Sequence, residues 1–283
     1  MSETTGIEWT DATINFWWGC SKVSPGCDHC YAETWAARFG ESLWGVGAPR
    51  RKIKGAVGLL YKLQNSASWW AADAVIGKFH PNSARRVFIQ SMSDLFDKEV
   101  PDEWFDEAWN AIRSCGSLDL QLVTKRVSFV EKRLAGRPWP KHARLIISIV
   151  NQEEADRDIP RLIELKHRLG IPCIGLSMEP LLGRVVLRDE WLAELGWIIV
   201  GGESGAKARP MHPDWARSLR DQCAEAGVSF LFKQWGEWIP APEIEDAGGV
   251  SFHTFADGTW VQRVGKKAAG RLLDGVQHDG FPA

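Results

Sequence analysis

No stretch of this sequence is apolar for long enough to cross a membrane, so no membrane partner is expected. The first ten residues are polar and acidic, unlike a secretory leader. A cytoplasmic protein is therefore expected. Neither sign of charge dominates: 34 Lys and Arg stand against 36 Asp and Glu, a formal net charge of −2. Bulk electrostatics thus gives no reason to expect nucleic acid as a partner. Six cysteines in 283 residues are too few for a disulfide scaffold. No internal repeat or low-complexity tract stands out. No G-x-G-x-x-G follows a strand, so a dinucleotide-binding fold finds little support.

What is present is ordinary globular material, 45% hydrophobic and 25% charged, with an unusual 16 tryptophans. Tryptophan offers a large apolar face and one N–H donor, which suits a core or a pocket wall. From about residue 86, short apolar runs alternate with amphipathic stretches. The runs are Val87–Ile89, Leu120–Val123, Leu145–Ile149, Cys173–Leu176, Trp197–Val200 and Ser229–Phe232. They read as strands buried on both faces. A seventh strand is expected around Ile14 to Trp18.

Between the runs lie helical patterns. Pro101 opens one that carries Phe105, Ala108, Trp109 and Ile112. A second carries Ile159, Leu162, Ile163 and Leu169 and is closed by Gly170. A third starts after Asp214, carries Trp215, Leu219, Cys223 and Ala226, and is closed by Gly227. Repeated strand–helix units imply parallel strands. The expected fold is α/β, a partial or near-complete β/α barrel. The barrel-like domain would span residues 1–236, with a Gly-rich, basic insertion at about 40–85. Residues 237–283 would form a small extension, with a hairpin around Asp257-Gly258.

Two constellations carry chemistry. The first is Cys20, Cys27 and Cys30, spaced C-x6-C-x2-C on one loop that Pro25-Gly26 can reverse. Three thiolates suit a 4Fe–4S cluster with one iron left open. A structural zinc would want a fourth ligand, which His29 could supply. Three unrelated buried cysteines are the bland alternative. The second constellation is the polar residues that follow the apolar runs, where β/α barrels place function. They are Gln90 to Asp94, Thr124-Lys125-Arg126, Ser148 to Asn151, Ser177 to Pro180, Gly201 to Gly205, and Lys233-Gln234-Trp235. Helix capping could explain Ser93 and Asp94. Six polar ends in succession instead suggest a ring around a pocket. Gly201-Gly202-Glu203-Ser204-Gly205 could cradle an anionic or ribose group, or simply turn the chain.

The basic stretches Arg50-Arg51-Lys52-x-Lys54, Arg85-Arg86, Lys132-Arg133 and Lys266-Lys267 are most simply solvated faces. With tryptophan nearby they could hold a nucleic-acid backbone. The histidines outside the cysteine loop show no ligand spacing. Cys173 precedes an inward-facing strand and could approach the metal site, but reads more simply as a buried, inert thiol.

The motifs W-W-G-C-x-K-V-S-P-G-C-x-x-C-Y-A-E, S-M-S-D-L-F, T-K-R, S-M-E-P-L, V-G-G-E-S-G-x-x-A-R-P and F-K-Q-W-G run from Trp17 to Gly236. In these the chain resembles an uncharacterised phage and prophage family, the gene product thirty-seven/sixty-eight family. That family is in turn similar to radical S-adenosylmethionine (SAM) enzymes such as spore photoproduct lyase.

The resemblance implies a radical SAM-like barrel and two cofactors, a 4Fe–4S cluster on Cys20, Cys27 and Cys30 and SAM on its open iron. It implies that His29 packs near the adenine. Ser91, Ser93 and Asp94 would hold the amino group, and Ser148, Asn151 and Glu179 the ribose and carboxylate. The Gly201, Gly202 and Glu203 segment would complete the cofactor site. The implied chemistry is reductive cleavage of SAM to a 5′-deoxyadenosyl radical, with an electron donor as partner. Glu179, Glu203, Lys125, Arg126 and Lys233 would bind substrate or move protons. A nucleotide or nucleic-acid base would be the substrate, modified or repaired. Two other readings are a zinc-stabilised nucleic-acid-binding protein without catalysis and a cluster-bearing sensor of redox state or iron. Neither needs a ring of polar strand ends.

Overall fold

The structure, a computed structural model, describes residues 2–67, 84–240 and 251–282. The expected insertion falls in part, at residues 68–83, outside the described residues. Seven strands form one sheet: β1 (Ala12–Ile14), β4 (Arg85–Ile89), β5 (Leu118–Thr124), β6 (Ala143–Ser148), β7 (Ile174–Met178), β8 (Trp197–Gly201) and β9 (Ser229–Gln234). They stand in sequence order, with β1 and β9 at the edges. The expected α/β class with parallel strands is what forms, and the linear order corresponds to the partial form of the β/α arrangement.

The expected strand from Ile14 to Trp18 divides. Ala12–Ile14 joins the sheet beside β4. After Asn15-Phe16 the chain leaves it, and β2 (Trp17–Trp18) pairs antiparallel with β3 (Arg51–Lys52). The single polar Asn15 does not announce such a break, because the apolar content resumes at Phe16 while the partner changes.

Two compact units divide the chain. The first comprises Met1–Val23, Ala32–Ile147 and Glu164–Ile174. It holds β1 to β6 and the helices α1 (Tyr31–Ala37, from Ala32), α2 (Ala56–Asn65), α3 (Asp102–Ser114) and α4 (Val130–Leu134). Helix α3 forms as the spacing predicts. Phe105, Ala108, Trp109 and Ile112 are buried along one face, and Asp102 and Glu103 sit in the first turn, where the helix dipole favours anions. Phe105 stacks on Trp109 at 5.8 Å, and Trp109 meets Trp139 edge-on at 5.5 Å. Burying such rings contributes roughly 2–3 kcal/mol each. The outer edge of β1 is covered by Ser2, whose N–H and C=O both bond Thr13.

The second unit comprises Ser24–Tyr31, Ser148–Ile163 and Gly175–Ala283. It holds β7 (from Gly175), β8, β9, most of α5 (Gln152–Leu169), and α6 (Asp189–Leu192), α7 (Pro213–Ala226) and α8 (Lys266–Ala269). In α7, His212 accepts a hydrogen bond from Asp214 N, Pro213 takes the first helical position, and Gly227 ends the helix at φ +68°. The hairpin expected around Asp257-Gly258 is present as β11 (Phe252–Thr254) and β12 (Trp260–Arg263), and β10 (Trp238–Pro240) joins it. The last residues reach back to β9: Phe232 N donates to His278 O and Gly280 N to Phe230 O. That segment covers an edge strand that would otherwise expose unpaired amides. A Cβ at position 280 would lie 2.5 Å from Phe230 O, so only glycine approaches so closely.

Candidate functional site at the strand ends and the cysteine loop

In the first unit the strand ends are knit to one another. Gln90, just past β4, sits at φ +69°, a conformation that costs a non-glycine residue energy. Its side chain secures the position: Oε1 accepts from Phe16 N at 2.6 Å and Nε2 donates to Ser93 Oγ at 2.7 Å. Ser93 Oγ donates in turn to Trp17 O, and Asn15 bonds Ser91 Oγ and Met92 N.

Asp94 is buried and accepts from Thr124 Oγ1, Lys125 N and Phe96 N at 2.8–3.0 Å. Arg126, also buried, lies 3.6 Å from Asp94 and donates to Ser21 O and Oγ at 2.8 Å each. Asp97 lies between Arg126 and Arg50, with Arg50 Nε at 2.8 Å. Arg50 also donates to Ala48 O and Glu99. This network holds the backbone around Cys20. Gly19 turns the chain there at φ +104°, where a Cβ would lie 2.7 Å from Leu43 O. Lys125 is half-buried, and only its backbone N–H bonds Asp94.

In the second unit the rest of the cysteine loop is clamped. Ser24 Oγ accepts from Gly26 N at 3.0 Å and opens a single 3-10 turn over Pro25–Cys27. Arg209 Nη2 donates to Pro25 O at 3.0 Å, and Nη1 to Asp28 at 3.2 Å. The same guanidinium grips Glu203 through Nε at 2.9 Å and Nη2 at 2.6 Å, while Arg209 N adds a bond at 2.7 Å. His29 Nδ1 meets Glu203 Oε2 at 3.1 Å.

Glu203 is only 6% exposed. Burial opposes its ionisation, but the bonds from Arg209 and His29 hold its carboxyl below the usual range. The bond to Glu203 likewise raises the Arg209 guanidinium. Arg209 was not singled out from the sequence. Its signal lay in the motif, six residues after Glu203 in V-G-G-E-S-G-x-x-A-R-P.

Glu179, after β7, is held by Lys233 Nζ at 2.7 and 2.8 Å and by Gln234 Nε2 at 3.1 Å. Gln234 also bonds Gly202 O and Ser204 Oγ. A Cβ on Gly201 would sit 3.4 Å from the Glu179 carboxyl, and one on Gly202 would sit 1.9 Å from Trp235 O. Close backbone approach therefore requires glycine at position 202, whereas at 201 a Cβ would only touch the Glu179 side chain. Asn151 Oδ1 accepts from Glu154 N as the cap of α5, and Ser148 is buried. The structure thus brings Glu179, Gly201, Gly202 and Lys233 together, pairs His29 with Glu203, and engages Ser91, Ser93, Asp94 and Asn151 in bonds within their own unit.

No disulfide joins any of the six cysteines, and Cys20, Cys27 and Cys30 are half-exposed. Burial pushes the Cys115 thiol up to about 11 and the Cys223 thiol up to about 12, which makes both poor ligands. Among the described residues no three Cys, His, Asp or Glu side chains gather around a single ion. A cluster makes a different demand, because each cysteine binds a different iron. Thiols are the donor type such a cluster takes, and all three here are half-exposed, Cys20 in the first unit and Cys27 and Cys30 in the second.

Among the described residues no helix is long and apolar enough to cross a membrane.

Fold and site together define an α/β protein with a parallel sheet whose polar strand ends accompany a three-cysteine loop. The chain belongs to the family described as "Protein of unknown function (DUF5131)", whose model matches residues 4–282. That description names neither a phage source nor an activity. No curated protein matches the sequence. Among solved structures the chain is similar to a spore photoproduct lyase mutant, at 14% identity and a TM-score of 0.46, over 95% of this chain and 72% of that one. It is also similar to spore photoproduct lyase complexed with dinucleoside spore photoproduct, at 13% identity and 0.43, over 91% and 69%. A mutant with bound AdoMet and dinucleoside spore photoproduct gives 13% and 0.40, over 89% and 67%. At such scores the likeness does not reach the site.

Proposed function

We propose that the protein is a radical SAM enzyme that acts on a nucleotide or a nucleic-acid base. The cysteine loop carries this reading. Three half-exposed thiols stand on one loop, and Arg209 binds that loop at Pro25 and Asp28 while gripping Glu203. Cys20, Cys27 and Cys30 would hold a 4Fe–4S cluster. When bound, such a cluster supplies the electron that cleaves SAM.

The chain's own residues do the rest. Arg209 and Glu203 keep the turn at Pro25 to Asp28 in one conformation, so that ordering it costs little on binding. Lys233 and Gln234 orient the Glu179 carboxylate, which is then able to accept from an ammonium or hydroxyl group. Lys125 offers an ammonium that bonds nothing else among the described residues, and would pair with a carboxylate or phosphate. His29 Nδ1–H donates to the Glu203 carboxylate, which leaves Nε2 for a ligand.

The test is anaerobic purification with iron, sulfide and zinc analysis, then electron paramagnetic resonance of the reduced protein with and without SAM. About four irons and four sulfides per chain, with a spectrum that shifts on adding SAM, are the expected result. A colourless protein holding one zinc, and taking up no iron on reconstitution, sinks the reading.

A further inference from the structure

We propose that the small sheet of β10, β11 and β12 positions Arg209 on the cysteine loop, with Arg263 and Trp238 as the positioning residues. The inference rests on the reading of that loop as the working part of the site, and it asks nothing of the cluster itself. All the residues concerned belong to the second unit.

Arg209 stands at the end of a stretch with little of its own to hold it. Between β8 and α7 the chain runs through Glu203-Ser204-Gly205-Ala206-Lys207-Ala208-Arg209 with neither helix nor strand. The side chains between the two ends are small or exposed, so they bury little apolar surface. Their amides and carbonyls lack a regular ladder and need other partners. A loop of this kind opens at low cost. Once open, it would loosen the grip of Arg209 on Pro25 O and Asp28.

The small sheet supplies the partners. Glu237 N donates to Glu203 O at 3.1 Å, and the Glu237 carboxylate accepts from Gly205 N at 2.9 Å. Arg263 Nη2 donates to Gly205 O at 3.0 Å and to Ala206 O at 2.8 Å. Trp238 Nε1 donates to Ala208 O at 2.9 Å. Trp238 lies directly opposite Arg263 in the β10–β12 pair, so the two share a face of the sheet. The guanidinium carbon of Arg263 is 5.8 Å from the Trp238 ring. The hydrogen bonds that these three side chains make to other elements all end on this one stretch. Gly236, just before β10, comes so close that a Cβ there would lie 2.1 Å from Glu203 O.

The hairpin turn adds an anchor on the far side of Arg209. His212 Nδ1 accepts from Asp214 N, so its proton is on Nε2, which donates to Asp257 Oδ2 at 3.0 Å. Phe255 meets the same ring edge-on at 4.6 Å. One small sheet thus fixes the backbone before Arg209 and the side chain three residues after it.

The test is the rate at which limiting N-ethylmaleimide labels Cys27 in the metal-free, full-length protein, read by peptide mass spectrometry. Arg263→Ala is expected to raise that rate by about fivefold or more, because two bonds to the loop are lost. Arg263→Lys keeps a cation able to donate to the same carbonyls and should fall between. The readout that separates positioning from packing is the double variant. In an Arg209→Ala background the cysteine loop is already released, so adding Arg263→Ala should change the Cys27 rate by less than about twofold. Cys223, buried on α7 in the same unit, should stay unlabelled throughout and reports that the unit is folded. Should Arg263→Ala expose Cys223, Trp238→Phe takes its place. It deletes one bond, keeps the ring, and should raise the Cys27 rate by about twofold or more.

A parent-like Cys27 rate in the variant that keeps Cys223 protected overturns the proposal. So does an increase equally large with and without Arg209, and so does loss of Cys223 protection in both variants, since the sheet then serves the fold at large. These outcomes are independent of the metal analysis. A colourless protein that shows the expected labelling would keep the positioning role and lose the radical reading, and an iron–sulfur protein with additive effects would do the reverse.

Discussion

Replacing Arg209 with alanine tests the clamp on the cysteine loop. The substitution removes two side-chain bonds to Glu203, at 2.9 and 2.6 Å, and the bonds to Pro25 O and Asp28. Glu203 is 6% exposed and would keep only Arg209 N and His29 as partners. Breaking a buried pair by deleting one member costs about 3–5 kcal/mol, because a charge stays buried without compensation. The Arg209 side chain is 29% exposed, so the lower end applies; about 3 kcal/mol is expected. For a chain of 283 residues, that corresponds to a fall in melting temperature of about 6 °C. Differential scanning calorimetry reads the temperature, and rates of alkylation of Cys27 and Cys30 read the loop. Both thiols should react faster in the variant. Adding Glu203→Gln to Arg209→Ala should restore most of the lost stability, because the stranded charge is gone. A variant that melts within about 1 °C of the parent and labels at the parent's rate would refute the clamp.

Three further outcomes are expected. Gly202→Ala places a Cβ 1.9 Å from Trp235 O, and backbone must move to admit it. A loss of about 3 kcal/mol or more by thermal or denaturant melting is expected, and a parent-like curve would show that the approach is relaxed in solution. Brief alkylation of the folded metal-free protein near pH 8, followed by peptide mass spectrometry, should spare Cys115 and Cys223, whose thiols burial pushes up to about 11 and about 12. It should modify Cys20, Cys27 and Cys30. Asp274 is held below its ordinary 3.8 by bonds from Arg217 and then Arg220. A depressed carboxyl stabilises the fold above its unfolded value, and the contribution is lost as pH falls through the folded value. Asp274→Asn should therefore cost up to about 1 kcal/mol at neutral pH and nothing well below pH 3.8, so a penalty that persists in acid contradicts the pair.

Periodicity alone determined much of this protein. Continuous apolar runs such as Leu145–Ile149 and Trp197–Val200, short and rich in β-branched residues, read as strands covered on both faces. The face of α3 that carries Phe105 and Trp109 has one way to be buried, and Gly227 marks a helix end because few residues adopt its φ. The cysteine spacing and the polar residues after each strand were also legible, since both depend on nearest neighbours along the chain. Partner choice was not. Only the tertiary structure ended β1 at Ile14 and sent Trp17 to face Lys52, because a strand's register depends on what lies beside it. Only it put Arg209 across Glu203 and the loop at Pro25, a contact 184 residues apart in sequence. It alone set Lys233 and Gln234 on Glu179. Local sequence states which groups are polar; which charge lies within 3 Å of which is decided by folding, because burial removes the water that would otherwise satisfy them both.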